Sequence, residues 1–117
     1  MKNDFGGHDN HHYGNVYGYV GSGPHVCATL EGHEDYFYDN RLVITGTDVG
    51  GLQCSSPKTV VGNNTYFTST GKITECGKDL AELQKHGGDP GSTVSTLPPD
   101  DTVIGWAREL LATDRTL

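Results

Sequence analysis

Short apolar and β-branched runs, broken by Gly, Asn, Asp and Ser, set the pattern of this chain. NVYGYV (15–20), YFYDN (36–40), RLVIT (41–45), KTVV (58–61), TYFTST (65–70) and KITEC (72–76) are each only a few positions long. None holds a helical period, and they predict strands joined by turns over 13–76. The pattern changes after Cys76. DLAELQKHGG (79–88) predicts a short helix. Asp79 sits near its start, Leu80 and Leu83 share a face, Lys85 and His86 fall in the last turn, and Gly87–Gly88 stop it. DPGSTVSTLPP (89–99) reads as an extended connector. Asp100 or Asp101 then caps a second helix reaching about Leu111, with Val103, Ile104, Ala107, Leu110 and Leu111 on one apolar face. The chain divides into a Gly/His-rich lead-in (1–12), a strand-rich stretch (13–76) and a helical cap with its connector (77–117), expected to pack on the flank or open end of the strands.

The strand-rich stretch repeats. HHYGNVYGYV (11–20), YFYDNRLVIT (36–45) and VVGNNTYFTS (60–69) align, placing Asn15, Asn40 and Asn64 at almost equal steps. Cys27, Cys54 and Cys76 follow those asparagines at similar intervals. Regular spacing of strand-like units predicts that equivalent residues stack at the ~4.8 Å strand separation. Asn suits a turn because it tolerates left-handed backbone and bonds local amides. The three asparagines are expected to form a ladder of mutually bonded side chains. The cysteines are expected to form an inward ladder, with Val26, Gln53 and Glu75 facing outward.

This pattern resembles the right-handed parallel β-helix proteins of the pectate-lyase-like group, over roughly residues 8–76. The resemblance implies an all-β-dominated fold: a short right-handed parallel β-helix of about three coils with one or two C-terminal helices, similar to a truncated C-terminal piece of a longer protein. Many of its longer members act on extracellular polysaccharides through Asp clusters or an Arg/Lys base on successive coils. No such motif matches here.

Composition narrows the partners. Apolar residues make up 33% of the chain, and 17 glycines leave few side chains for a thick core. So lean a stack, with unpaired strand edges at its ends, is expected to complete itself as a homo-oligomer, a dimer or trimer. The net charge of −7 opposes nucleic acid and anionic membrane surfaces as partners. No apolar run nears the ~20 residues of a membrane span, and the N-terminal residues carry no signal peptide pattern; a soluble protein is expected. Three cysteines cannot all pair within one chain. Reduced buried thiols are the default, and one disulfide with a free thiol is the rival.

The same alignment gathers histidines. His8 precedes His33 by the same step that separates Asn15 from Asn40, so HDNHH (8–12) lies in register with HEDYF (33–37). His8 then stacks on His33, Asp9 on Glu34 and Asn10 on Asp35, while His11 and His12 project to opposite faces. Imidazoles with carboxylates suit a divalent ion, zinc first and manganese second, that activates water. The candidate ligands are His8, His11, His33 and Asp35, with His12 and His25 in reserve. Glu34 or Asp35 is the candidate base or orienting carboxylate. No HExxH or CxxC motif accompanies them, and solvated or structural histidines are the plainer reading. Tyr13, Tyr17, Tyr19, Tyr36, Tyr38 and Tyr66 present either an aromatic surface for sugars or a filling for the strand walls.

Two functions follow from different classes. One is a small, promiscuous metal-dependent hydrolase of phosphate or carboxylic esters, taking a small-molecule ester. The other is a non-catalytic carbohydrate-binding or structural fragment, taking a glycan.

Overall fold

The computed structural model describes residues 2–3, 9–26, 31–50, 54 and 59–115. Among these described residues, eleven strands and two helices follow in order. They are β1 (Lys2–Asn3), β2 (His11–Tyr13), β3 (Val16–Val20), β4 (His25–Val26), β5 (Tyr36–Tyr38), β6 (Arg41–Ile44), β7 (Val60–Gly62), β8 (Thr65–Thr68), β9 (Thr74–Glu75), β10 (Lys78–Asp79), α1 (Leu80–Lys85), β11 (Thr93–Thr96) and α2 (Asp100–Arg115). They build four separate sheets, ordered β1-β4, β10-β9, β11-β8-β6-β3 and β2-β5-β7.

The expectation of an all-β parallel β-helix is corrected by this arrangement. The sheets are mixed parallel and antiparallel, with about 35% strand and 21% helix. β9 and β10 form an antiparallel hairpin, which reverses the chain where a continuing parallel wrap would keep its direction. The repeat spacing reports which strands lie side by side; it is blind to the hairpin and helices that follow.

What the spacing specifies is register. His11 pairs with Tyr36 and Tyr36 with Val60, while Val16 pairs with Arg41 and Arg41 with Thr65, all in parallel. A fourth tier, absent from the sequence reading, lies in the segment expected to be a connector. Thr93 pairs with Thr65, so β11 extends the larger sheet. A corner leads into each strand of the four-stranded sheet, and at each tier it begins with a left-handed residue: Gly14, Asp39, Asn63 and Gly91, with φ of 65°, 55°, 53° and 76°. Gly, Asn and Asp are the residues that enter this region at least cost.

The residue after each corner carries the ladder. The Asn15 amide donates to Asn40 Oδ1 (3.0 Å), the Asn40 amide to Asn64 Oδ1 (3.0 Å), and the Asn64 amide to Ser92 Oγ (2.8 Å). Asn40 and Asn64 also donate from Nδ2 to the carbonyls of His12 and Phe37, one tier above. The ladder therefore runs from side chain to backbone rather than between side chains. Each of these two asparagines supplies one acceptor and one donor to backbone groups of the tier above, part-buried ones for Asn40 and buried ones for Asn64.

Between the sheets, Phe37, Leu42, Ile44, Val49, Val61, Tyr66, Ile73 and Leu80 form the core. A third side of the stack is so close that a Cβ on Gly23 would collide with the carbonyl of Val49, so only glycine fits. Tyr66 is fully buried and donates to Asp89 Oδ2 at 2.7 Å. Burial, with the charges of Asp89 and Glu75 nearby, pushes its hydroxyl far above the usual tyrosine range. The folded state holds Tyr66 neutral while the unfolded chain ionises near pH ~10, so stability is lost as pH rises beyond ~10. Tyr66→Phe is expected to cost about 1–2 kcal/mol at neutral pH and to flatten that alkaline loss. Thermal melts of both proteins at neutral and alkaline pH check this; parallel declines would contradict it.

α1 forms as its sequence predicts. Asp79 accepts from the Glu82 amide at 2.7 Å, and Leu80 and Leu83 are buried. Gln84 on α1 donates from Nε2 to the carbonyls of Asp89 and Ser92, closing the lower corner. The Asp cap expected for α2 is corrected: the Pro99 carbonyl accepts from the amides of Thr102 and Val103. Asp100 lies in the first turn and accepts from the Tyr19 hydroxyl, which ties the helix to β3. The helix continues to Arg115, past the expected end at Leu111.

The cysteines are also corrected. Cys54 and Cys76 form a disulfide with Cα atoms 5.4 Å apart, in place of reduced thiols. Cys54 is exposed and Cys76 half-buried, whereas Glu75, expected outside, is fully buried. Cys76 has φ 55° at the turn of the β9–β10 hairpin, so the alternation that predicts sides along a strand fails there. Cys27, Gln53 and the Val26 side chain lie outside the described residues.

Candidate functional site

The stacked corners separate two outward surfaces. On the β2-β5-β7 side, alternation sends Phe37 into the core and its neighbours Tyr36 and Tyr38 outward. Tyr13 stacks on Tyr38 with ring centres 5.3 Å apart, and His11 on Tyr36 at 4.3 Å, both pairs tilted by 6°. His11 Nδ1 lies 3.3 Å from the Tyr38 hydroxyl, which closes the group.

On the other side of the corner, α2 lies against the outer face of the four-stranded sheet. Gly18 leaves room for Val103, whose Cγ1 is 3.8 Å from where a Cβ would stand. One turn further on, Trp106 packs against Phe67 with ring centres 5.3 Å apart. The Arg41 guanidinium carbon lies 4.7 Å from the Trp106 ring centre, a cation–π contact. Between α2 and the corner is a hollow of about 200 Å³, lined by Gly14, Asn15, Val16, Asp39, Arg41, Trp106, Glu109 and Leu110. It combines an indole, a guanidinium and two carboxylates. The corner residues that line it directly follow Tyr13 and Tyr38, so the aromatic column and the hollow adjoin.

This set can stack on an apolar ring face and hydrogen-bond to hydroxyls around it. Sequence reasoning missed it. Trp106 read only as a position on an amphipathic helix, and Arg41 as part of a strand. The available signal was that the single Trp falls between Val103 and Leu110, one turn from each, on a helix expected to pack against the strands.

The residues proposed for a metal are held in separate contacts. His33 Nδ1 lies 3.0 Å from Asp9 Oδ2, with both side chains more than half exposed. His11 is in the aromatic column, and half-buried His12 leans towards Phe37 with ring centres 6.5 Å apart. Asp35 is fully buried and accepts from both the backbone and side-chain nitrogens of Asn10, at 2.9 and 3.0 Å. Glu34 accepts from the Gly32 amide at 3.0 Å. His8 and the His25 side chain lie outside the described residues. Among the described residues, no three His, Cys, Asp or Glu side chains converge as a metal-holding group.

Of the six tyrosines, Tyr13, Tyr36 and Tyr38 form the outward column. Tyr17 is half-buried, with its hydroxyl pushed up by burial, and Tyr66 is internal. Tyr19 is exposed, and its bond to Asp100 raises its pKa. No described helix is long and apolar enough to cross a membrane. No protein-family model matches the chain, and no match emerges among curated proteins or solved structures.

Proposed function

We propose that this chain is a carbohydrate-binding module. One sugar ring seats in the hollow beside α2, against the paired Trp106 and Arg41, and the adjoining Tyr13–Tyr38 column extends the surface. The hollow carries the reading, because indole, guanidinium and carboxylate groups meet there in one concavity. The part of the indole that lines the hollow offers apolar contact to a sugar's C–H groups, while Asp39, Glu109 and Arg41 suit its hydroxyls as acceptors and donor. About 200 Å³ accommodates one ring rather than a deeply enclosed chain. The module reading is preferred over metal-activated ester hydrolysis because His11, His12, His33, Glu34 and Asp35 are engaged in separate local contacts.

Trp106 is the only tryptophan, so its emission reports on the site directly. Titration with soluble cello-, xylo- and galacturono-oligosaccharides is expected to give a saturable fluorescence change with at least one of them. Arg41→Ala is expected to weaken binding about fivefold, for the loss of roughly 1 kcal/mol of cation–π and hydrogen-bonding support. Trp106→Ala is expected to remove binding detected by calorimetry. An unchanged emission across the whole panel, with calorimetry equally silent, would discard the proposal.

A further inference from the structure

We propose that the Cys54–Cys76 disulfide is a thiol-exchange site for small anionic thiols. The bond lines a second cavity, of about 410 Å³, with Lys78, Leu83, His86, Gly87 and Gly88. That volume falls in the range that holds a molecule of tripeptide size. None of these residues lines the Trp106 hollow, so the two sites are independent.

Two observations favour exchange over a closed staple. Cys54 is an exposed residue and both cysteines line the cavity, so the bond lies beside solvent-accessible space. Lys78 places a cation on the same cavity, and His86 adds a second when protonated, although Glu82 lies 3.3 Å from its Nε2. Positive charge attracts an incoming anionic thiolate and stabilises the thiolate that leaves.

The chemistry balances with the thiol as reductant. Its thiolate attacks Sγ of Cys54, the Cys54–Cys76 bond breaks, and the electron pair leaves on Sγ of Cys76. The product is a mixed disulfide on Cys54 with a thiolate at Cys76, in the cavity that Lys78 also lines. A second thiolate then attacks the mixed disulfide at the sulfur of the first thiol. It releases the oxidised small molecule and leaves both cysteines reduced.

The test uses the full chain carrying Cys27→Ser, which keeps the third cysteine out of the readout, alongside the unaltered chain. Glutathione is the anionic probe and 2-mercaptoethanol the uncharged one. Acid-quenched samples are read by intact mass and peptide mapping. The expected result is a glutathione adduct on Cys54, formed by the folded protein. Lys78→Ala with His86→Ala is expected to slow glutathione about tenfold and 2-mercaptoethanol by much less, since the latter loses mainly the support of the leaving thiolate. A folded protein that resists both thiols while the urea-unfolded chain reacts at once would overturn the proposal. So would adducts confined to Cys76, or equal slowing of both thiols in the double variant.

Discussion

Asn40→Ala is expected to destabilise the fold by roughly 3–5 kcal/mol, a large part of the ~5–15 kcal/mol that holds a domain together. The side chain is fully buried in effect, at 1% exposure, and serves two backbone groups of the tier above. Its Oδ1 accepts from the Asn15 amide and its Nδ2 donates to the His12 carbonyl. Alanine removes both partners of these part-buried groups and leaves a void at a fully buried position, and a buried polar group without a partner costs about 1–3 kcal/mol. Asn40→Ser should fall between, at about 1–2 kcal/mol. Ser92 shows that a hydroxyl can reach the amide above, bonding Asn64 at 2.8 Å, but serine has no arm for the carbonyl.

Asn15→Ala is the internal control. Asn15 occupies the same ladder position, yet among the described residues no group donates to its Oδ1. Its Nδ2 makes only a 3.4 Å contact with the Tyr17 hydroxyl. Its removal should cost less than ~1 kcal/mol. Urea unfolding of the variants orders them, and equal costs for Asn15 and Asn40 would refute the ladder as the source of stability.

The same residues show how far the sequence could be read. The near-equal spacing of Asn15, Asn40 and Asn64 placed three tiers in register because each asparagine stands at the same point, just after a left-handed corner. The fourth tier escaped for two reasons. Ser92 bonds the tier above with a different side chain, and α1 lies within the longer step from Asn64 to Ser92. The overall class was misjudged because the resemblance rested on residues 8–76, whereas the antiparallel hairpin and α2 lie at or beyond the end of that stretch.

The candidate site was less legible still. Histidine spacing identifies residues in register along strands, but register does not aim side chains at one point. His11 and His12 leave their strand on opposite faces, and His33 reaches back to Asp9. The hollow depends on where α2 lies across the sheet, bringing Trp106 over Arg41 from a distant part of the chain. No local pattern encodes that placement.

Removing the disulfide is expected to cost about 3 kcal/mol, because the bond closes a loop in the unfolded chain between cysteines 22 positions apart. The loop is one tier: Cys54 precedes β7, and Cys76 follows β9. The link therefore restricts the segment holding Val61, Tyr66 and Ile73, three members of the core. Its entropic effect acts on the unfolded state, so Cys54→Ser with Cys76→Ser should retain the native near-UV spectrum at low temperature and unfold at lower urea. Reducing the unaltered protein should shift its midpoint to match the double variant. A thin core makes this link matter more than it would in a larger domain, since 33% apolar composition leaves little reserve. If the double variant melts within about 1 °C of the parent, roughly 0.2 kcal/mol for this size, the tier is held by its ladder and core alone. The crosslink would then contribute chemistry to the cavity around Lys78 rather than stability to the fold.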